Sequence, residues 1–413
     1  MTITLLAHTQ EQRKPIEKHP IKPVCQDAAS HETNPVLETS AHAYEATDLV
    51  HINDDGVKAA ALYINARLEE ESYSTRSWRD HALHICPPEP FDPKHPKTRL
   101  ALDWLFLISS LNFSFWSEFE GTERRYGIEW REGWGSEKTV VHTGYWSLVA
   151  AVDRALEEGI PITDPAFYSS QTECPDSVIA HVFRAAPQSQ ETIPLLAERI
   201  AILRENGSIL CKHYGGSFQG FYEHFVNQTH GKGTALQVVK QVVDAFPSFR
   251  DETVYDEHKV FLWKRAQILV AETWAAFFPP SPEDPHPLFP GPQGPAMHHL
   301  TMFADYRVPQ ILHHLNILTY PPSLLAMLRA NTPIAHGSRE EVSIRAASIV
   351  SVERVRKEMV KVYRGAGREE ISSVLIDFYL WDLAKKIEAG SDHIVGMQTN
   401  EIVNPHRTRS IWY

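Results

Sequence analysis

Cysteine is scarce in this 413-residue chain: Cys25, Cys86, Cys174 and Cys211 stand far apart, and no two form a CxxC pair. That spacing suggests neither a disulfide framework nor a zinc site. Histidine is plentiful, at 22, yet no HExxH occurs and no deaminase HxE with PCxxC. His298-His299 and His313-His314 are adjacent pairs, and neighbours on a helix point about 100° apart. Walker A and GxGxxG are missing too, so metal hydrolysis, ATP use and dinucleotide redox lose their usual sequence support. Cations are in deficit, 40 Lys and Arg against 52 Asp and Glu for a net charge of −12. Such a surface does not suit a polyphosphate backbone. No run approaches the roughly eighteen apolar residues of a membrane span, and the opening ITLLA is too short for a signal-peptide core. The expectation is a soluble, intracellular, cytoplasmic protein with no direct polynucleotide or membrane partner.

What is present is ordinary globular material, 43% hydrophobic and 22% charged, enough for a sizeable core. Residues 1–45 mix Thr, Gln, His, Pro and Glu without periodicity and read as a disordered tail. Helical spacing begins with Val57, Ala61 and Ile64. Pro87 to Pro96 reads as a proline-rich connection. Eight prolines between Pro279 and Pro295 rule out a helix or central strand there and predict a surface insertion over 279–296. The row Val342, Ala346, Ile349, Val352, Val355, Met359 and Val362 predicts one amphipathic helix, and Trp263, Ala266, Val270, Trp274 and Phe277 another. Leu196, Ile200 and Leu203 predict a third, with Thr192 as N-cap and Gly207 near its end. The best strand signal is Tyr126-Ile128-Trp130, a turn near Trp134, then Thr139-Val140-Val141: one hairpin. The fold class is therefore mainly α, a single large helical domain over 46–413 with a small β-hairpin.

Three stretches combine polar groups with aromatic and apolar neighbours. The first is Leu111-Asn112-Phe113-Ser114-Phe115-Trp116-Ser117-Glu118 with Gly144-Tyr145-Trp146-Ser147, dense enough in rings to stack a planar ligand. An aromatic core with Asn112 satisfied by backbone serves as well, and taken alone is favoured. In the second, Thr301 to Pro309, Asp305 stands among apolar residues. By itself it reads as a helix cap or the partner of Arg307; the functional alternative is a desolvated carboxylate facing a developing positive charge. Lys264 raises the same question between Val260-Phe261-Leu262-Trp263 and Ile268-Leu269-Val270, where a lysine usually snorkels to water. The third is Ile376-Asp377-Phe378-Tyr379-Leu380-Trp381-Asp382. Phe378 and Asp382 share a helix face, and an aromatic plane beside a carboxylate suits a ring with adjacent N–H donors, such as guanine.

Taken in order, these words resemble the queuosine salvage protein family, the queuosine 5′-phosphate N-glycosylases. The matching words are LNFSFWSE (111–118), GYWSL (144–148), RALEEGIPIT (154–163), GGSF (215–218), FPSFRD (246–251), KRAQILVAETW (264–274), TMFADYR (301–307) and IDFYLWD (376–382), within a likeness running from about residue 50 to Tyr413. The resemblance implies a helical fold similar to helix-hairpin-helix DNA glycosylases. It implies hydrolysis of the N-glycosidic bond of queuosine 5′-phosphate, release of queuine for tRNA modification, and no metal or other cofactor. It makes Asp305 the nucleophile or transition-state stabiliser and Lys264 a second catalytic group. Phe303, Asp305, Asp377, Phe378 and Asp382 would line the queuine site with His81, or in its place His84. Arg250, Arg307 and Arg345 stay open as holders of the 5′-phosphate. A non-catalytic helical adaptor is the competing class, disfavoured by ionisable groups in apolar settings. A DNA glycosylase acting on polymer is disfavoured by the charge.

Overall fold

Helices dominate the computed structural model, which describes residues 33–281, 283–362 and 371–413. In chain order the first elements are α1 (Pro35–Ala46), β1 (His51–Ile52), α2 (Asp54–Glu70), α3 (Pro96–Ser110), β2 (Gly127–Arg131), β3 (Thr139–Thr143) and α4 (Tyr145–Glu157). Next come α5 (Pro165–Ser169), α6 (Asp176–Val182), α7 (Leu196–His213), α8 (Phe218–Gln228), α9 (Ala235–Ala245), β4 (Glu252–Tyr255) and β5 (His258–Phe261). The chain continues through α10 (Lys264–Ala276), α11 (Arg307–His314), β6 (Leu318–Thr319), α12 (Pro322–Arg329), α13 (Arg339–Val362) and α14 (Ser373–Glu388). The strands make only two-stranded antiparallel ribbons, β1 with β6, β2 with β3 and β4 with β5. The mainly α class holds.

Four local expectations need correction. The tail does not extend to residue 45, because α1 begins at Pro35. Asn34 caps it by accepting from Val36 N–H, and Val36, Ser40 and Ala43 form a buried stripe among polar neighbours. The rest of the expected tail, residues 1–32, lies outside the described residues. Helix α7 starts after Leu195, not Thr192, and runs past Gly207 to His213. Gly207 is mid-helix because α5 lies against it: a Cβ there would meet Tyr168 Cε2 at 2.6 Å and the Pro165 carbonyl at 2.8 Å. The proline-rich stretch is not all surface, since Phe289, Leu288 and His286 are buried and His286 Nε2 bonds the Trp274 carbonyl at 3.0 Å. The predicted hairpin forms, in register Gly127↔Thr143 to Arg131↔Thr139. A second one, β4–β5, gives little sequence signal because Asp256-Glu257 fills its two-residue turn at positive φ, where Asn-Gly is the usual mark.

Two helices are buried almost all round and form the centre: α3, whose residues 101–110 are all buried, and α10, buried at all but one of its positions. They pack against each other, with α9 on α10, α11 and α13 on α14, and α1 and α2 on α13. A charged residue on α10 therefore has no route to bulk water except through a cavity.

Candidate active site

The loop from Leu300 to Tyr306 is held by side chains from three helices. Gln267 of α10 accepts from Thr301 N–H at 3.0 Å and donates to its hydroxyl at 2.8 Å. Asp377 of α14 accepts from Phe303 N–H at 2.9 Å. Arg345 of α13 donates from Nε to the Ala304 carbonyl at 2.8 Å. One residue on, Asp305 Oδ1 accepts from both Arg307 and Val308 N–H at 2.9 Å, capping α11. The capping geometry is therefore real, and it leaves Oδ2 as the oxygen able to face a ligand.

Lys264 opens α10. Its backbone N–H donates to Asp251 Oδ2 at 3.3 Å, and Asp251 also pairs in bidentate fashion with Arg345, at 3.1 and 2.5 Å. One buried ion pair thus ties the start of α10 to the loop that carries Asp305. The Lys264 ammonium does not snorkel. It is 4% exposed and donates to the carbonyl and side-chain oxygens of Asn112 at 3.2 and 3.1 Å. Asn112 is consequently more than the core residue its aromatic setting suggested.

All seven residues singled out from the sequence, His81, Lys264, Phe303, Asp305, Asp377, Phe378 and Asp382, line one cavity of about 800 Å³. His84 lines it as well, so both histidines of that alternative are present. Phe303 and Phe378 stand 6.0 Å apart by ring centroid. Asp382 Oδ2 accepts from the Tyr73 hydroxyl at 2.7 Å. His81 lies flat on Trp146, centroids 3.7 Å apart and planes parallel, and its Nδ1 accepts from Leu83 N–H at 3.3 Å, which puts the ring proton on Nε2. Of the three arginines left open, Arg307 alone lines the cavity. Arg345 is spent on Asp251, Glu341 and Ala304, and Arg250 on the carbonyls of Val243 and Asp244 at the end of α9.

Burial sets the electrostatics. It lowers the Lys264 pKa to about 8 against the upward pull of Asp305, Glu272 and Asp377. Asp305 is raised by burial and restrained by Lys264 and its two N–H donors. Asp377 is raised by burial and by the charge of Asp305. Burial also raises Asp382, against the Tyr73 hydrogen bond, and lowers His81 to about 4, so its imidazole is neutral at pH 7. At the rim, Arg307 pairs with Glu388 at 3.2 Å and Lys385 with the same carboxylate at 2.8 Å. Burial, then the charges of Arg307 and Arg125, lowers Lys385, and all three cations line the cavity. Tyr145 and Trp146 of the first aromatic stretch also line the cavity, as do Glu272, Tyr73, Arg125 and Lys385, which were not singled out. Glu272 could have been found, standing eight residues after Lys264 on the same helix.

These parts define a helical protein whose interior cavity sets one buried lysine among carboxyl groups and aromatic rings, a site for a flat base and for positive charge developing beside it. The model of the queuosine salvage protein family matches residues 91–413, and the chain belongs to that family. A Schizosaccharomyces pombe protein named queuosine 5′-phosphate N-glycosylase/hydrolase is 39% identical over 378 residues, covering 88% of this chain and 95% of the relative. Proteins of the same name from Bos taurus and Sphaerobacter thermophilus are each 34% identical, covering 88% and 87% of this chain and 94% and 99% of the relatives.

Proposed function

We propose that this chain hydrolyses the N-glycosidic bond of queuosine 5′-phosphate and releases queuine. The observation that carries the reading is the convergence of Lys264, Asp305 and Asp377 in one cavity, on a chain similar almost end to end to proteins of that name. Breaking the bond leaves its electron pair on the base and builds an oxocarbenium-like cation on the ribose. Water then adds its hydroxyl to C1′, and its remaining proton neutralises the departing base. A 7-deaza base has no N7 to protonate, so the burden falls on charge opposite the sugar and a firm grip on the base. Asp305 Oδ2 supplies the charge, pre-oriented because Oδ1 is fixed by two N–H groups. Lys264, held by Asn112, favours the ionised form of Asp305 through its charge. Phe378 and Phe303 flank the ring, and the Asp382 oxygen not used by Tyr73 accepts from its edge, with His81 and Asp377 completing the wall.

At the rim, Arg307, Lys385 and Arg125 receive the 5′-phosphate, which takes over from Glu388 as the partner of two of them. The substrate is a small molecule, and residues from Thr33 onward carry the glycosylase unit. No helix among the described residues is long and apolar enough to cross a membrane. Incubation with queuosine 5′-phosphate, queuosine and guanosine monophosphate, read by chromatography, tests the activity. Queuine is released from the first far faster than from the second, and guanosine monophosphate stays intact. No release from any of them would return the helical adaptor to first place.

A further inference from the structure

The sugar, base edge and phosphate leave one end of the cavity without an occupant. Lys264, Ile268 and Glu272 follow at four-residue spacing on α10 and all line the cavity. Eight residues of helix put Glu272 about 12 Å along the axis from Lys264, the reach of a bicyclic base with a substituted aminomethyl arm. Glu272 is 5% exposed. The Tyr145 hydroxyl donates to its Oε1 at 3.2 Å, while Oε2 has no hydrogen-bond partner. The Trp78 indole N–H and the Ser109 hydroxyl point at this carboxyl and favour its anion without reaching full hydrogen-bond geometry, and His84 Nε2 has no partner. Because His84 Nδ1 is engaged with the Trp78 carbonyl at 2.6 Å, as donor to that oxygen, Nε2 is left as an acceptor. A carboxyl oxygen short of a full hydrogen bond beside an unpaired imidazole acceptor suits a polar guest.

Rings complete the corner. Trp146 lies edge-on to Trp381 at 5.9 Å, Tyr145 edge-on to Trp381 at 6.0 Å, and Trp78 stacks on His84 at 3.9 Å. Burial, with a smaller push from the neighbouring His81, takes His84 down to about 3, so no competing imidazolium sits beside the acid. Burial lifts the Glu272 carboxyl to about 7, against the pull of Tyr145 and Lys264, so a cation brought beside it favours its anion; inside a cage of aromatic faces that carboxylate is a receptor for an organic ammonium, and the neighbouring imidazole acceptor suits a hydroxyl.

We propose that the Glu272 end of the cavity is a subsite for a cationic, hydroxylated substituent on the base, with Glu272 Oε2 accepting from its ammonium and His84 Nε2 from a hydroxyl. The inference rests on the N-glycosylase reading, since a queuosine base carries at C7 an aminomethyl arm ending in a cyclopentenediol. It makes Glu272 a specificity residue that separates this base from its unsubstituted parent ring.

Calorimetric titration with queuine and with 7-deazaguanine, which lacks the arm, tests it on the parent protein and on Glu272→Gln. The parent prefers queuine, and the variant loses at least about tenfold of that preference. Equal affinity of the parent for the two bases overturns the subsite. So does a loss in the variant by the same factor for both bases, the mark of a structural role. Glu272→Asp, which keeps the charge on a shorter arm, checks folding and recovers part of the preference. Turnover on queuosine 5′-phosphate runs alongside. Turnover with undiminished preference in Glu272→Gln defeats the subsite alone, whereas preference without turnover defeats the glycosylase reading alone.

Discussion

Asp305→Asn separates the cap this side chain forms from the catalytic role proposed for it. Its Oδ1 caps α11 through two N–H groups, and an asparagine oxygen accepts those bonds nearly as well, since Asn and Asp rank together as caps. Folding stability should stay within about 0.5 kcal/mol of the parent. Asp305→Ala removes the cap as well and should cost about 0.5–2 kcal/mol, a visible fall in Tm. Turnover behaves differently, because the formal charge opposite the ribose is absent in both variants. Loss of one pre-oriented electrostatic group in a dry site costs about 10²-fold or more in turnover. The charge also matters to its neighbours. Asp305 exerts the largest upward pull on Lys264 after burial has lowered it, so in the Asn variant the lysine loses its proton at a pH below its parental value of about 8. In the parent, turnover needs the Asp305 anion and the Lys264 cation. It should fall below the raised Asp305 pKa and again as pH rises past about 8; the residual activity of the Asn variant should lose its alkaline limb at lower pH. Single-turnover base release against pH, with Tm and queuine titration on the same preparations, reads all three effects. Turnover of the Asn variant within tenfold of the parent, or a Tm as low as that of the Ala variant, would refute the assignment and leave Asp305 a cap.

Arg345→Met strands Asp251 without its cation in a site where both side chains are almost wholly buried, and should cost about 3–5 kcal/mol. The double variant Arg345→Met/Asp251→Leu should recover only part of that Tm, since buried Glu341 also loses its arginine, while turnover stays low because Ala304 and Lys264 lose the link that spaces them; parental turnover in the double variant would make the ion pair purely structural. Asp382→Ala should weaken queuine binding by about 1.5–3 kcal/mol, and Asp382→Asn should also weaken it by presenting a donor to a donor; calorimetry in which both bind like the parent moves base reading to Asp377. Removing residues 1–46 takes away α1, with Val36 buried on the core and Asn34 bonded to Gln267 and the His299 carbonyl, and should lower Tm by several degrees. Trimming only residues 1–32, which lack periodic apolar positions, should leave Tm and turnover unchanged.

The site was legible where its chemistry lies in unbroken words of sequence. Asp305 and Phe303 share one word, Asp377, Phe378 and Asp382 another, and each word sits on a single loop or helix that the fold carries whole into the cavity. Partnerships across the chain were not legible, because no local pattern records them. Lys264 meets Asn112 from 152 residues away, Asp251 meets Arg345 from 94, and Phe303 meets Asp377 from 74. The amphipathic rows of α2 and α13 announced themselves through a polar face that contrasts with an apolar one. Helices α3 and α10 have almost no such contrast, so α3 went unread and periodicity gave α10 without saying which side faces what. That is why Lys264 read as a residue reaching for water. On a helix buried all round, however, an ionisable side chain cannot reach water past its neighbours; it must meet a partner or a cavity, since an unpaired buried charge costs too much to persist. Lys264 and Glu272 are the two ionisable residues of α10 that line the cavity, whereas Arg265, facing the other way, is spent on the carbonyls of Ser110 and Ser248. The apolar run of KRAQILVAETW therefore carried the location of the cavity, and two of its three charges, Lys264 and Glu272, line it eight residues apart.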